Sequence, residues 1–357
     1  MVNLKRTYIY TLTLFIVSIN LRIGITSISP LLETIRQDLN LINFTVSFLT
    51  SIPVLCMGIF ALFTGQVNKR WGTEKAIAGP LLSGFIKDKF PTKIGLMIGV
   101  YSVGMGTGAS LSAGFTIPLQ HILKGSWNMA LAFWSVFTIV ALIFWYPIMK
   151  QNKSIKTHNK RNNVLQLKNK KTWLFTIFFG LQSGIFYSVT TWMAPTFQSM
   201  GVSSQQAGTL ITVFTFVQMV CSFVIPTSAD YYKNRTLWLL GSIFFVLIGL
   251  FFIIYSLTTP WISAVLVGIG LGGLFPLALM LPLDETKTSE DASAWTAMMQ
   301  SGGYIMGGLI PILTGITRDI SHDDHKVFLM MAFLSVILLI LTLIMRQRKI
   351  ETNVKVF

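Results

Sequence analysis

Residues 127–171 read WNMALAFWSVFTIVALIFWYPIM and then KQNKSIKTHNKRNNVLQLKNKK. The first string carries no charged residue; the second carries eight Lys or Arg and no Asp or Glu. At about 1.5 Å of rise per residue, a helix through the first string is about 35 Å long, more than the roughly 30 Å of a bilayer's hydrocarbon. A charge-free run ending abruptly in a basic connector is the pattern of a membrane span and its cytoplasmic loop. The rest of the chain repeats it. Of 357 residues, 52% are apolar and 11% charged, against about 25% charged in soluble domains. Aromatics make up 13%, with 27 Phe, and the mean hydropathy is +0.64. Too few charges remain to cover a soluble globule of this length. A water-soluble enzyme and a secreted disulfide scaffold are therefore excluded. Cys56 and Cys221, deep in apolar runs, read as small hydrophobes. The class left is an all-α polytopic membrane protein.

Ten full spans are expected, at 7–28, 45–66, 94–118, 127–149, 172–199, 205–227, 236–256, 260–282, 292–315 and 327–345. The net charge of +15 would suit a nucleic-acid partner, but Lys and Arg crowd into the short connectors, so no nucleic acid is expected. With the N-terminus inside, the cytoplasmic connectors collect 23 basic residues and the outer ones four: Arg36, Lys124, Arg318 and Lys326. That asymmetry places both termini in the cytoplasm and the chain in the plasma membrane. The first span is too long for the apolar core of a cleavable signal peptide and lacks a small-residue cleavage site. Trp127, Trp145 and Trp173 stand at span ends, where interfacial anchoring is expected.

The basic run 150–171 divides two hydrophobic halves, which suggests an internal repeat. In each half the second span ends in a comparable turn, Gly65-Gln-Val-Asn68-Lys69-Arg70-Trp-Gly72 and Ala229-Asp230-Tyr-Tyr-Lys233-Asn-Arg235. Beyond the turn the halves differ. The second has four further spans, the first only two and a stub, Ala76–Ile86, too short to cross a bilayer. Stub flanks are basic on both sides, so the stub reads as interfacial or half-inserted. The shortfall is about one helical hairpin, which leaves later spans correctly oriented. The domains expected are an N-terminal bundle at 1–149, shortened near 76–93, and a basic cytoplasmic linker at 150–171. A C-terminal six-helix bundle at 172–346 and a cytoplasmic tail at 347–357 follow.

This pattern resembles the major facilitator superfamily, and within it the cyanate transporter and 2-nitroimidazole transporter group. The matching stretches in the first half are Asn20-Leu21-Arg22 with Pro30-Leu-Leu, Leu49-Thr-Ser-Ile-Pro53-Val-Leu-Cys56 and Ile94-Gly-Leu-Met-Ile-Gly-Val-Tyr101. In the second they are Phe179-Gly-Leu-Gln182-Ser183-Gly-Ile-Phe-Tyr187, Gly272-Gly-Leu-Phe275-Pro-Leu-Ala-Leu and Met299-Gln300-Ser-Gly-Gly-Tyr304. The two turns resemble that superfamily's signature loop, with Asn68 where an Asp is usual and Asp230 in the second copy. The resemblance implies two bundles of six helices, twelve in all, working by alternating access, usually as a monomer. Gly79–Pro91 resembles the end of the fourth span and Glu74–Ala78 the start of the third. The missing part therefore resembles the third span and most of the fourth, which in the superfamily lines the central cavity.

Arg22 is the residue whose chemistry stands out. It lies mid-span, where an Arg costs roughly 2.5–3.5 kcal/mol on insertion scales, and no other span core offers an acidic partner. An unpaired guanidinium facing a cavity selects a small oxyanion or carboxylate-like group; the alternative is an Arg snorkelling to the outer headgroups. Gln182, Ser183 and Tyr187 can share a helical face on the first span of the second half, and Gln300 and Tyr304 lie four apart. These either line a substrate path or glue helices together. The resemblance implies that the spans of Arg22 and Tyr187 face each other across the cavity. Asn20 reads as a backbone-orienting residue. The glycines of 99–114 and 268–273 read as close-packing or hinge positions, since an apolar span offers no strand–loop–helix context for nucleotide binding. His322-Asp-Asp-His325 reads as a polar connector in preference to a metal site. Asp284, Glu285, Glu290 and Asp291 read as a solvated loop, with a gate latch as the alternative. The basic linker is expected to fix topology and touch anionic membrane lipid.

The function expected is secondary transport of a small anion or small polar organic compound. Arg22 would anchor the substrate, and Gln182, Tyr187, Gln300 and Tyr304 would line its path. No cofactor, metal or catalytic constellation is expected. The alternative is a truncated, non-transporting remnant of such a transporter.

Overall fold

The computed structural model describes residues 4–71, 94–151, 169–232, 234–286 and 289–354. All ten expected spans are helices: α1 (Leu4–Thr26), α3 (Asn43–Trp71), α4 (Ile94–Ile122), the pair α5 (Trp127–Phe133) and α6 (Ser135–Gln151), α7 (Lys170–Ser199), α8 (Ser204–Tyr232), α9 (Arg235–Tyr255), α10 (Pro260–Glu285), α11 (Ser289–Ser321) and α12 (Asp324–Val354). A short α2 (Leu32–Asp38) joins α1 to α3 through a turn at Ser29–Leu31. Local chemistry sets several starts. The side chains of Ser126, Asn169 and Asn234 accept from backbone N–H groups of Met129, Lys171 and Leu237, and Pro260 opens α10, where its missing N–H is no loss. The stub at 76–86 lies outside the described residues.

Two sequence expectations change. The segments 65–71 and 229–232 are not turns but the last turns of α3 and α8, so both connectors start later than their glycine and basic residues suggested. Asp284 and Glu285 belong to the last turn of α10 rather than a solvated loop. Asp284 pairs with Arg235, and Glu285 with Lys171 at 2.8 Å. Both pairs lie within the second half, so they clamp α7, α9 and α10 together and do not latch one half to the other. The side chains of Glu290 and Asp291 lie outside the described residues.

The helices alternate between an end bearing 71, 94, 151, 170 and 235, called here the basic end, and a far end bearing 26–43, 122–127, 199–204 and 321–324. Helix α1 runs parallel to α4: Ser18 faces Gly104, Ile19 faces Gly108, and Thr26 Oγ1 lies 2.6 Å from Ser112 Oγ. Helix α7 runs parallel to α11 in the same manner, with Gly180 against Met306, Gly184 against Ile310 and Trp192 bonded to Thr314. The halves then meet through two antiparallel pairs, α3 with α11 and α4 with α8. This is the internal repeat in three dimensions. Helices α9 and α10, packed on each other and on α8, have no counterpart among the described residues of the first half.

Burial follows position in this arrangement. Every residue from Phe178 to Phe197 in α7 is buried, because α7 is surrounded by other helices. By contrast α6 exposes Val136, Ile139, Leu142, Ile143 and Phe144, and α12 exposes Leu329, Phe333, Val336 and Ile340. Such apolar faces suit hydrocarbon and not water. Among the described residues eight helical stretches are long and apolar enough to cross a membrane. Helix α11 falls short because Gly, Ser, Thr and Gln300 dilute its hydropathy, and it packs on α3, α7 and α12. Trp145 is 1% exposed, so it fills the interior next to α1 instead of anchoring at an interface.

Candidate functional site

Arg22 sits one turn from the end of α1, and α1 is drawn tightly against α4 just before it. A Cβ on Gly108 would stand 2.0 Å from the Ile19 carbonyl oxygen, so only glycine allows that backbone approach. Asn20 points the other way. Its Nδ2 donates to Phe137 O at 3.2 Å and its Oδ1 accepts from Thr138 Oγ1 at 3.1 Å. With α1 held on both sides, Arg22 is directed toward the second half.

There it is buried, 7% exposed, and does not snorkel. Arg22 Nη1 donates to Gln218 Oε1 of α8 at 3.2 Å. The guanidinium carbon lies 4.2 Å from the Phe186 ring centroid of α7 and 5.2 Å from that of Phe275 of α10, distances at which an aromatic face stabilises a cation. Tyr101 of α4, Tyr187 of α7 and Tyr304 of α11 lie within electrostatic range of it. Six helices from both halves thus converge on one charge. Among the described residues no carboxylate pairs with Arg22, and the three tyrosine hydroxyls make no hydrogen bond.

Aromatic rings form the walls. Phe179 packs edge-on against Tyr304 at 5.1 Å and tilted against Phe275 at 5.9 Å, while Phe186 packs on Tyr187 at 5.1 Å and on Phe214 at 6.1 Å. Of the residues singled out from sequence, Arg22, Tyr187 and Tyr304 are brought together here. Gln182 and Gln300 are buried on the same two helices but form no hydrogen bond with Arg22. Ser183 Oγ donates to Gln182 Oε1 at 3.4 Å, and Gln300 forms no hydrogen bond among the described residues. Sequence reasoning missed Gln218, Tyr101 and the two phenylalanines. The Gln218 signal was present, since it is an amide inside the apolar run Phe214–Cys221, the same kind of intruder as Arg22.

At the far end the halves are tied. Asp319 of α11 accepts from the Asn43 and Phe44 backbone N–H groups at 3.0 and 2.7 Å and from Asn43 Nδ2 at 2.7 Å, so it caps α3 from the other half. Arg318 pairs with Asp324, donates to Asn43 Oδ1 and lies over the Trp192 ring. Ser29 Oγ donates to the Thr190 carbonyl, and Thr191 Oγ1 to Thr50 Oγ1 at 2.8 Å. His322, Asp323, Asp324 and His325 border a far-end cavity of about 460 Å³ with Arg36, Asn43 and Arg318. Among the described residues no three His, Cys, Asp or Glu side chains group as a metal site would.

The family model described as Major Facilitator Superfamily matches residues 73–311. The chain is 28% identical over 348 residues to an uncharacterized transporter, YycB, of Bacillus subtilis (strain 168), covering 86% of each chain. It is 27% identical over 369 residues to the cyanate transport protein CynX of Escherichia coli (strain K12), covering 93% of this chain and 96% of that protein. With the 2-nitroimidazole transporter of the same bacterium it shares 25% over 372 residues, 92% of each. Among solved structures, a bacterial homologue of the human lysosomal transporter Spinster, inward-facing and occupied, superposes with a TM-score of 0.64 at 16% identity, covering 96% of this chain and 97% of that one. That likeness shows the fold. With the family match spanning most of the chain and the paired halves in place, the chain belongs to the Major Facilitator Superfamily.

Proposed function

We propose that the chain is a secondary active transporter of a small anion or small polar organic compound, moved by alternating access of its two halves. The observation that carries this reading is a buried Arg22 at the junction of both halves, with no acid beside it among the described residues. A charge so placed costs several kcal/mol in apolar surroundings unless a partner compensates. An anion is the partner that the site lacks. Three tyrosine hydroxyls supply further donors, and the surrounding rings suit a small planar or linear ligand. Two relatives named for cyanate and 2-nitroimidazole support a substrate of this size. Gln182 and Gln300, each about one helical turn from a ring of the site, Phe186 and Tyr304, are candidate liners of its path. In this reading the protein is no enzyme. It sits in the plasma membrane as a monomer among lipid, with both termini and the 150–171 linker in the cytoplasm, where the basic residues collect.

The test is thermal unfolding of the detergent-purified chain with cyanate, nitrite and short carboxylates. A ligand at 100 times its dissociation constant stabilises the bound form by about 2.7 kcal/mol. One anion should raise Tm in the native chain and leave Arg22→Ala unmoved; a retained shift in that variant sinks the assignment. A second reading is favoured by one observation, the lack of a first-half counterpart to α9 and α10 among the described residues. It holds that the chain is a non-transporting remnant. Anion binding without uptake into proteoliposomes would establish it.

A further inference from the structure

Arg22 and Gln218 belong to different halves, α1 and α8, and their hydrogen bond is one of the polar contacts that cross between the halves near the rings, beside Ser110 Oγ to Thr215 Oγ1 at 3.1 Å and Thr107 Oγ1 to Met219 Sδ at 3.6 Å. The Gln218 side chain is 3% exposed, and among the described residues its amide has no other hydrogen-bond partner. Its backbone, in contrast, is fixed. A Cβ on Gly272 would stand 2.7 Å from the Gln218 carbonyl oxygen, so α10 holds α8 in place while the side chain is tethered only by the guanidinium. The remaining N–H groups of Arg22 have no acceptor among the described residues.

We infer that Gln218 is an internal stand-in for the substrate: its neutral amide oxygen covers the Arg22 charge in the empty carrier and gives way when an anion arrives. This rests on the anion reading of the site. The physical basis is a ranking of acceptors. A neutral amide gives the guanidinium one charge-assisted hydrogen bond, whereas an ionised oxygen adds the attraction of opposite charges and, in a carboxylate-like group, a bidentate geometry, so an incoming anion displaces the amide. An acid at 218 would be a different device, a permanent ion pair that a monovalent anion could not open. With the amide in place, an empty carrier can reorient with its charge covered, and substrate binding removes a crossbar between the halves at the same time.

The experiment measures Tm and apparent affinity for sodium cyanate, sodium nitrite and sodium acetate in the purified full chain, for native, Gln218→Leu, Gln218→Glu and Arg22→Gln proteins. Gln218→Leu removes the competitor, so the empty protein should melt lower and bind the active anion about tenfold more tightly, a change of about 1.4 kcal/mol. Gln218→Glu keeps the size and supplies a resident counter-ion, so the empty protein should melt at or above the native Tm and the anion-induced shift should vanish. A purely structural glutamine would not move the two variants in opposite directions. Weaker binding in Gln218→Leu, or an undiminished shift in Gln218→Glu, overturns the stand-in while leaving the anion site intact. If no anion shifts the native chain, or if Arg22→Gln shifts as the native chain does, the anion reading itself fails and takes this inference with it.

Discussion

At the scale of single residues, two polar side chains show how burial redefines a role. Arg22 was conspicuous in the sequence because a charge in an apolar run is costly wherever it points. Tyr187 and Tyr304 were singled out beside it as polar residues in apolar spans, but Tyr101, Phe186, Gln218 and Phe275 were not, because no local pattern links such distant positions. Asp319 shows the converse. It is an ordinary acidic residue near a helix end in the sequence, yet it caps α3 from the opposite half with three hydrogen bonds. An N-terminal cap is worth about 0.5–2 kcal/mol, and a charged acceptor lies toward the upper end. Asp319→Ala should therefore lower Tm by a loss of about 1–2 kcal/mol. Asp319→Asn, which keeps one oxygen, should lose about half as much. Equal stability of Asp319→Ala and the native chain in detergent unfolding would show that the cap carries no weight.

At the scale of helices, small residues decide which pairs come close. Gly108 brings α4 onto the backbone of α1, and with no hydrophobic drive between helices in lipid, such close packing is what holds a pair together. Gly108→Ala forces a methyl group to within 2.0 Å of a carbonyl oxygen, so α1 and α4 must separate. Overpacking of this kind costs about 1–3 kcal/mol. The separation also moves Arg22, one turn away, relative to Phe186 and Gln218. The expected outcome is a lower Tm together with at least a tenfold loss of anion affinity. Gly24→Ala, where a methyl group meets nothing within 4 Å, should change neither. The reading of Gly108 as a packing or hinge position was legible in the sequence; that it admits the Ile19 backbone was not.

At the scale of the whole molecule, the halves are tied at the far end and meet around Arg22, so the proposed alternating access would require the far-end contacts to break. The hydroxyls of Thr50 and Thr191, 2.8 Å apart across the halves, are placed for a reporter. With Cys56 and Cys221, both free and half-buried, replaced by Ala, a Thr50→Cys, Thr191→Cys protein should form a disulfide under oxidation. The oxidised protein should still show the anion-induced Tm shift but move no substrate into proteoliposomes, and reductant should restore uptake. Uptake that persists with the crosslink formed would contradict alternating access. The helical class and the ten apolar stretches followed from the sequence alone, while the expected shortening of the first half falls at 72–93, outside the described residues. The class and the stretches rest on local hydrophobic runs and on where charge can be tolerated, and those costs are paid residue by residue whatever the partner. The parallel pairing of α1 with α4 and α7 with α11, the meeting of the halves through α3, α4, α8 and α11, and the ring of Tyr101, Phe186, Gln218 and Phe275 around Arg22 belong to the tertiary structure. They depend on which faces of distant helices come into contact, and that choice is made by the fit of small residues and the pairing of buried polar atoms, which no single helix carries.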